Sequence, residues 1–354
     1  MMTSDRMNAV KKYSKNGATC FVLEETPRPG PPGPNEVQIR IQYIGVCTSD
    51  IHALHGALDM PDGNIVGHEF SGTIATVGKS VPPRLAPGDR VICELAVGAC
   101  FNCKMCRSGH YEFCPSKRPP GWASQGVYTE YVNMPAYCVH TIPPSVSLEV
   151  AALAEPTAVC VYGCLERGRI QKNDFTVIYG MGPIGLLCLI ILRDSGVENI
   201  VCVTPTRRGT QRYELAKGFG PTRVLAAEED VPTILHGMME GGKADVVIDC
   251  SGAPQAIAQG VELLRKDGTF VALGVASAAQ IPFPYNAALA KALRLTFSWT
   301  SSHDAWLRTV GILDRRHDEV RKLITHRFPL KDWKAAVDSI EKHEAIKAVL
   351  FNPE

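Results

Sequence analysis

The segment Phe175-Thr-Val-Ile-Tyr-Gly180-Met-Gly-Pro-Ile-Gly185 decides the fold. A short run rich in β-formers passes straight into a glycine-punctuated turn, and an apolar stretch follows to Asp194. A lone G-x-G-x-x-G is weak evidence. Between a strand and a helix it reads as a dinucleotide-binding turn rather than an ordinary glycine loop. Gly180 permits the tight turn, Gly182 lets backbone approach a pyrophosphate, and Gly185 allows close helix packing. The helix opened by Pro183 and Ile184 offers its N–H groups and positive dipole to the phosphates.

Working outward, the same rhythm continues. Residues 200–203, 245–248 and 269–273 read as buried parallel strands, and 185–194, 209–219 and 254–264 as helices between them. Pro254 suits a first helical position, where its missing N–H costs nothing. The alternation predicts a doubly wound α/β domain. Upstream the pattern differs. Residues 26–36 (TPRPGPPGPNE) form a Pro/Gly loop, and residues 37–43 alternate apolar and polar as a half-buried strand does. Short apolar runs at 72–77, 90–92 and 128–132 follow, so the first third is β-rich and irregular. Near the end come an amphipathic helix around 331–341 and an apolar run at 348–351.

The second strand of the α/β region selects the dinucleotide. About 20 residues beyond the glycines, NAD sites place an Asp or Glu on the ribose 2′-hydroxyl. Here the chain reads Val203-Thr-Pro-Thr-Arg-Arg208, with no acid. Thr204, Thr206, Arg207 and Arg208 stand where a 2′-phosphate would lie, and arginine binds phosphate bidentately. NADP(H) is expected over NAD(H). The competing reading is a solvated arginine pair in an unselective enzyme.

Thirteen cysteines in a chain without an apolar export signal at 1–13 argue for metal ligation and buried thiols over a disulfide framework. Cys100-x-x-Cys103-x-x-Cys106-x7-Cys114, set among polar residues, suits a closed four-thiolate zinc site with a structural role. An iron–sulfur cluster is the chemical alternative. The remaining cysteines mostly sit in apolar runs and read as small buried hydrophobes. Cys47, His68 and a carboxylate, Glu69 or Glu155, could form a mixed site with room for substrate, the pattern of a catalytic zinc.

Cys47-x-Ser49-Asp50-x-His52, Gly67-His68-Glu69, the four-cysteine lobe, Glu155-Pro156 and the glycine turn occur in the order of the zinc-dependent medium-chain dehydrogenases. The chain resembles that superfamily over nearly its whole length, and through Glu155-Pro156 it resembles the sorbitol (polyol) dehydrogenase branch. The resemblance implies a GroES-like β-rich catalytic domain (1–158 and 297–354) and a Rossmann domain (159–296), with the active site in the cleft between them. It implies two zinc ions per subunit. Cys47, His68, Glu69 and Glu155 would surround the catalytic one, with either glutamate as the direct ligand, and Asp50 would orient a ligand. Ser49 and His52 would relay a proton while hydride passes between NADP(H) and a secondary alcohol and its ketone. Ser298 and Trp299 stand where sorbitol-type enzymes commonly carry Arg and Tyr, so Trp299 is a candidate substrate contact. Homotetramers or dimers are expected. The alternatives are a threonine-type 3-hydroxy amino acid dehydrogenase, a cinnamyl-type NADPH enzyme, and a non-catalytic protein that binds zinc and dinucleotide.

The bulk numbers agree with a small-molecule enzyme. Hydrophobic residues make up 45% and charged residues 21% of the 354, enough to bury two cores. A net charge of +1 gives no electrostatic case for nucleic acid or a membrane surface. No run approaches the ~18 apolar residues of a membrane span, so a soluble cytoplasmic protein is expected.

Overall fold

The computed structural model describes residues 5–15, 17–205, 208–226, 229–238 and 240–353. Two compact units emerge: Met1–Glu155 with Ser302–His317 and Ile324–Glu354, and Pro156–Ser301 with Asp318–Leu323.

The first unit is built of antiparallel strands. β1 (Arg6–Lys15) and β2 (Ala18–Pro27) make a hairpin. The segment is polar overall and has no apolar export signal, yet Met7, Ala9 and Val10 are buried. β3 (Glu36–Gly45) is the spine of the larger sheet and pairs antiparallel with β4 (Glu69–Val77). β5 (Arg90–Cys93) extends the sheet beyond β4, and β6 (Tyr131–Pro135) also pairs with β3. β7 (Val139–Thr141) closes that side against β5. The strand expected at 128–132 begins instead at Tyr131. Tyr128 is buried, and a Cβ on Gly67 (φ +87°) would stand 2.0 Å from its ring. The sheet packs Val37, Ile39, Ile41 and Ile44 into one core with Val91 and Met134. Fully burying each such aliphatic side chain stabilises by roughly 1.5–3 kcal/mol.

The second unit is a six-stranded sheet of β8 (Thr176–Tyr179), β9 (Ile200–Thr204), β10 (Arg223–Ala226), β11 (Ala244–Asp249), β12 (Leu264–Ala272) and β13 (Arg294–Phe297). The order is β10-β9-β8-β11-β12-β13, and every neighbouring pair is parallel. That is the doubly wound order with its reversal between β8 and β11, where such sheets bind dinucleotides. The expected strands and the helices Pro183–Asp194, Gln211–Gly218 and Pro254–Leu263 are present. β10 and β13, the two edge strands, are not read from the sequence, and β13 is mostly exposed.

The chain then returns to the first unit. Ser302 caps a helix at His303–Arg315, its Oγ accepting from the Ala305 N–H at 3.0 Å. β14 (Ile324–Pro329) and β15 (Lys347–Phe351) run parallel to each other, and β15 joins the edge of β3. The amphipathic stretch expected at 331–341 is a helix at Trp333–Glu341. Among the described residues no helix is long and apolar enough to cross a membrane.

Candidate active site

Cys47 ends the loop after β3 and caps the helix Thr48–Leu54. Asp50, in its first turn, accepts from the Cys47 N–H at 3.1 Å and from the Tyr128 hydroxyl at 3.0 Å. Its other oxygen lies 3.4 Å from Nδ1 of His68. One buried carboxylate therefore fixes both the cysteine and the histidine. The Trp122 ring packs against the His68 imidazole, centroids 4.4 Å apart. Glu69 follows His68 as the first residue of β4, so adjacent positions turn to one cluster.

Donor atoms of Cys47, His68 and Glu69 lie within 4.8 Å of one another. Glu155 does not join that trio. It opens the helix Ala154–Val161, and burial pushes its carboxyl up to about 7, with the charges of His68, Glu69, Lys347 and Asp50 acting on it as well. Burial disfavours a charged His68, yet Asp50 and Cys47 outweigh it and hold the imidazolium well above its usual range. Buried His68 Nδ1 and Asp50 Oδ1 face each other at 3.4 Å without a well-formed hydrogen bond. A thiolate, an imidazole braced by a carboxylate, and a second carboxylate are a donor set that fits zinc with one position left open.

Ser49 Oγ donates to Cys47 Sγ at 3.0 Å, and half-buried His52 lies one turn further along the same helix. Sequence reasoning missed Lys347. This lysine is buried in β15, with Nζ 2.8 Å from Oε1 and 2.6 Å from Oε2 of Glu69. It also donates to the Val46 carbonyl at 2.9 Å. Burial opposes its charge, but Glu69 and Cys47 win and hold it protonated. Only an inward-facing lysine in an otherwise apolar strand signalled it.

The four lobe cysteines converge as well, their sulfurs all within 4.8 Å of one another. Sulfur separations are 3.5 Å (Cys100–Cys114), 3.9 Å (Cys103–Cys114) and 4.0 Å (Cys100–Cys106). Tetrahedral zinc–thiolate bonds of about 2.3 Å imply edges near 3.8 Å. Backbone N–H groups point at these sulfurs, Cys100 N to Cys114 Sγ at 3.3 Å and Cys103 N to Cys100 Sγ at 3.3 Å. That donation lowers the Cys114 thiol to about 6. All thirteen cysteines are free.

In the second unit Gly180 takes φ +92°. A Cβ on Gly185 would stand 1.8 Å from the Gly180 carbonyl oxygen. A Cβ on Gly182 would meet only Arg212 Nη1, at 3.8 Å. Packing therefore forbids a side chain at Gly185, while the space above Gly182 is open, a cradle that fits a pyrophosphate. Arg212, which sequence reasoning also missed, reaches over this turn. Thr204 is buried at the end of β9, and Arg208 Nη2 lies 2.5 Å from Glu229 Oε1. Thr206 and Arg207 lie outside the described residues. Trp299 is 71% exposed, which excludes core packing within its unit.

Residues 33–144 match the alcohol dehydrogenase GroES-like domain, and residues 183–315 match the zinc-binding dehydrogenase model. A sorbitol dehydrogenase from Halalkalibacterium halodurans is 32% identical over 97% of this chain and 99% of that protein. A D-arabitol-phosphate dehydrogenase from Enterococcus avium is 30% identical over 90% and 91%. A Sinorhizobium meliloti structure bound to NADP superimposes with a TM-score of 0.86 at 26% identity, covering 98% of this chain and all of that one. The chain belongs to the zinc-type medium-chain dehydrogenase/reductase family. It is a dinucleotide-dependent oxidoreductase of alcohols and ketones, with a GroES-like β-domain and a Rossmann-type domain.

Proposed function

We propose that this chain interconverts a secondary alcohol, of the polyol class, with its ketone, using NADP(H). The observation that carries the proposal is the convergence of Cys47, His68 and Glu69, three donors for an ion that takes four. Cys47, His68 and Glu69 would hold a catalytic zinc, and Glu155 would serve its carboxylate shell. Cys100, Cys103, Cys106 and Cys114 would hold a structural one. Bound at the first site, zinc supplies Lewis acidity that brings a hydroxyl's pKa toward neutrality. Asp50 braces His68, and Lys347 pairs with Glu69. Ser49 and His52, both on the helix behind Cys47, would carry the substrate proton outward. Gly180, Gly182, Pro183, Ile184 and Gly185 would seat the dinucleotide pyrophosphate. Thr204 and Arg208, with Thr206 and Arg207, would face its 2′-phosphate, and Trp299 would contact substrate.

The polyol reading is supported by relatives named for sorbitol and arabitol phosphate. The NADP reading is supported by the missing acid after β9 and the NADP-bound structural neighbour. Free thiols throughout support a cytoplasmic location. The exposed apolar residues Leu295 and Phe297 on the edge strand β13 support a homo-oligomer.

The test is an assay of NADPH and NADH formation against free and phosphorylated polyols, hydroxy amino acids and simple secondary alcohols. Preference for NADP⁺ with a polyol is expected; turnover of a hydroxy amino acid alone would move the chain to the threonine-type reading. Cys47→Ser is expected to abolish turnover while NADPH still binds, measured by fluorescence titration.

A further inference from the structure

A third cluster of metal-ligating side chains lies outside both sites. Glu94 follows β5, His140 sits in β7, and His303 opens the helix His303–Arg315. Their donor atoms lie within 4.8 Å of one another. Neither histidine belongs to a motif, and only the folded chain brings His303 back to residues it leaves far behind in sequence.

Glu94 Oε1 accepts from His140 Nε2 at 2.7 Å and from His303 Nδ1 at 2.7 Å. Glu94 Oε2 accepts from the Tyr111 hydroxyl at 2.7 Å. Glu94 and His140 are buried, whereas the His303 side chain is 44% exposed, so the cluster has a closed back and an open front. The His140 ring lies nearly parallel to Trp306, interplanar angle 4°, and the Tyr111 ring flanks His303 with centroids 6.3 Å apart. Both imidazoles are thus oriented before any ion arrives.

We propose that Glu94, His140 and His303 form a third divalent-cation site, selective for a zinc-like ion. Two imidazoles and one carboxylate are borderline donors that suit Zn²⁺, Co²⁺ or Ni²⁺ and disfavour Mg²⁺ and Ca²⁺, which want oxygen. Ligand atoms about 2.1 Å from a metal stand about 3.0 Å apart at a right angle and about 3.4 Å at the tetrahedral angle. The 2.7 Å separations therefore need to open by about 0.3 Å for the right angle and about 0.7 Å for the tetrahedral one. On binding, each imidazole presents its ligating nitrogen unprotonated and carries its single ring proton on the other nitrogen, and any second proton leaves to solvent. Tyr111 stays on Oε2 and holds the carboxylate so that Oε1 faces the ion, the usual work of a hydrogen bond behind a ligand. Water reaching the exposed side completes the coordination shell. Tyr111 belongs to the short 3-10 turn Tyr111–Phe113, between Cys106 and Cys114. The ion would therefore tie the four-cysteine lobe to the start of the helix His303–Arg315, a structural clamp away from the chemistry.

The test is metal analysis of the full-length protein after zinc saturation and removal of free ion. Three zinc per chain are expected for the wild type, and two for His303→Ala with turnover unchanged. His140→Gln, at a buried position, serves as the second variant. Cys47→Ser, also with two, should lose activity, which separates this site from the catalytic one. Raising zinc beyond two equivalents should raise the melting temperature of the wild type and leave that of His303→Ala where it was. Two zinc per chain in the saturated wild type, or three in His303→Ala, would overturn the proposal.

Discussion

Lys347 shows how much one side chain can carry. Its charge is buried against Glu69, and each group is tolerable only because the other is present. Lys347→Met should strand a buried carboxylate and destabilise the protein by about 3–5 kcal/mol, the usual cost of breaking such a pair from one side. Urea denaturation of zinc-loaded protein measures it; a loss well below this range would mean that bound zinc alone satisfies Glu69. Glu229 makes a second argument at the same scale. It sits on Arg208 and competes with any 2′-phosphate for that guanidinium. Glu229→Gln keeps the side chain's shape and removes its charge, so kcat/KM should shift further toward NADP⁺ over NAD⁺, severalfold. An unchanged ratio would count against Arg208 as a phosphate ligand.

At the scale of elements, the turn between β8 and the helix Pro183–Asp194 separates structural from functional glycine. Gly185 has no room for a methyl group because the Gly180 carbonyl stands in the way. Gly185→Ala should therefore cost stability, about 1–3 kcal/mol or more, through forced backbone movement. Gly182 faces open space, so Gly182→Ala should leave the denaturation midpoint unchanged yet raise the KM for the dinucleotide about tenfold or more. Equal melting temperatures for the two variants would refute this division. The order of strands and helices around the turn was legible in the sequence because buried parallel strands are continuous apolar runs. β10 and β13 were not, because an edge strand is partly exposed and interrupts its apolar run with polar residues, as Arg223, Arg294 and Thr296 do. The hairpin β1–β2 was hidden for a different reason: it buries both faces, Met7 and Ala9 on one and Val10 on the other, among polar residues that leave no clear alternation.

At the scale of the whole molecule, β13 is the outer strand of its sheet, and it exposes Leu295 and Phe297, the latter 72% accessible. Tyr285 and Leu289 on the neighbouring helix Tyr285–Ala290 are exposed too. An uncovered strand edge with an apolar fringe favours pairing, and a two-fold axis lets the same edge meet itself. Phe297→Glu should convert an oligomer to smaller species in light scattering coupled to gel filtration. A native mass equal to one chain for the wild type would remove the basis for the homo-oligomer.

By itself the sequence determined the two kinds of architecture, the dinucleotide turn and the four-cysteine lobe, because each is written in contiguous residues whose spacing sets the geometry. It also supplied Cys47, His68 and two candidate carboxylates, and left open which one stands beside them. Tertiary structure decided that Glu69 joins the trio, because β4 begins there and points it inward. It brought Lys347 across from the far end of the chain to neutralise that carboxylate, and His303 to Glu94 and His140. Such pairings depend on which strand lies beside which, and long-range register is set by the packing of the whole core rather than by any local run of residues.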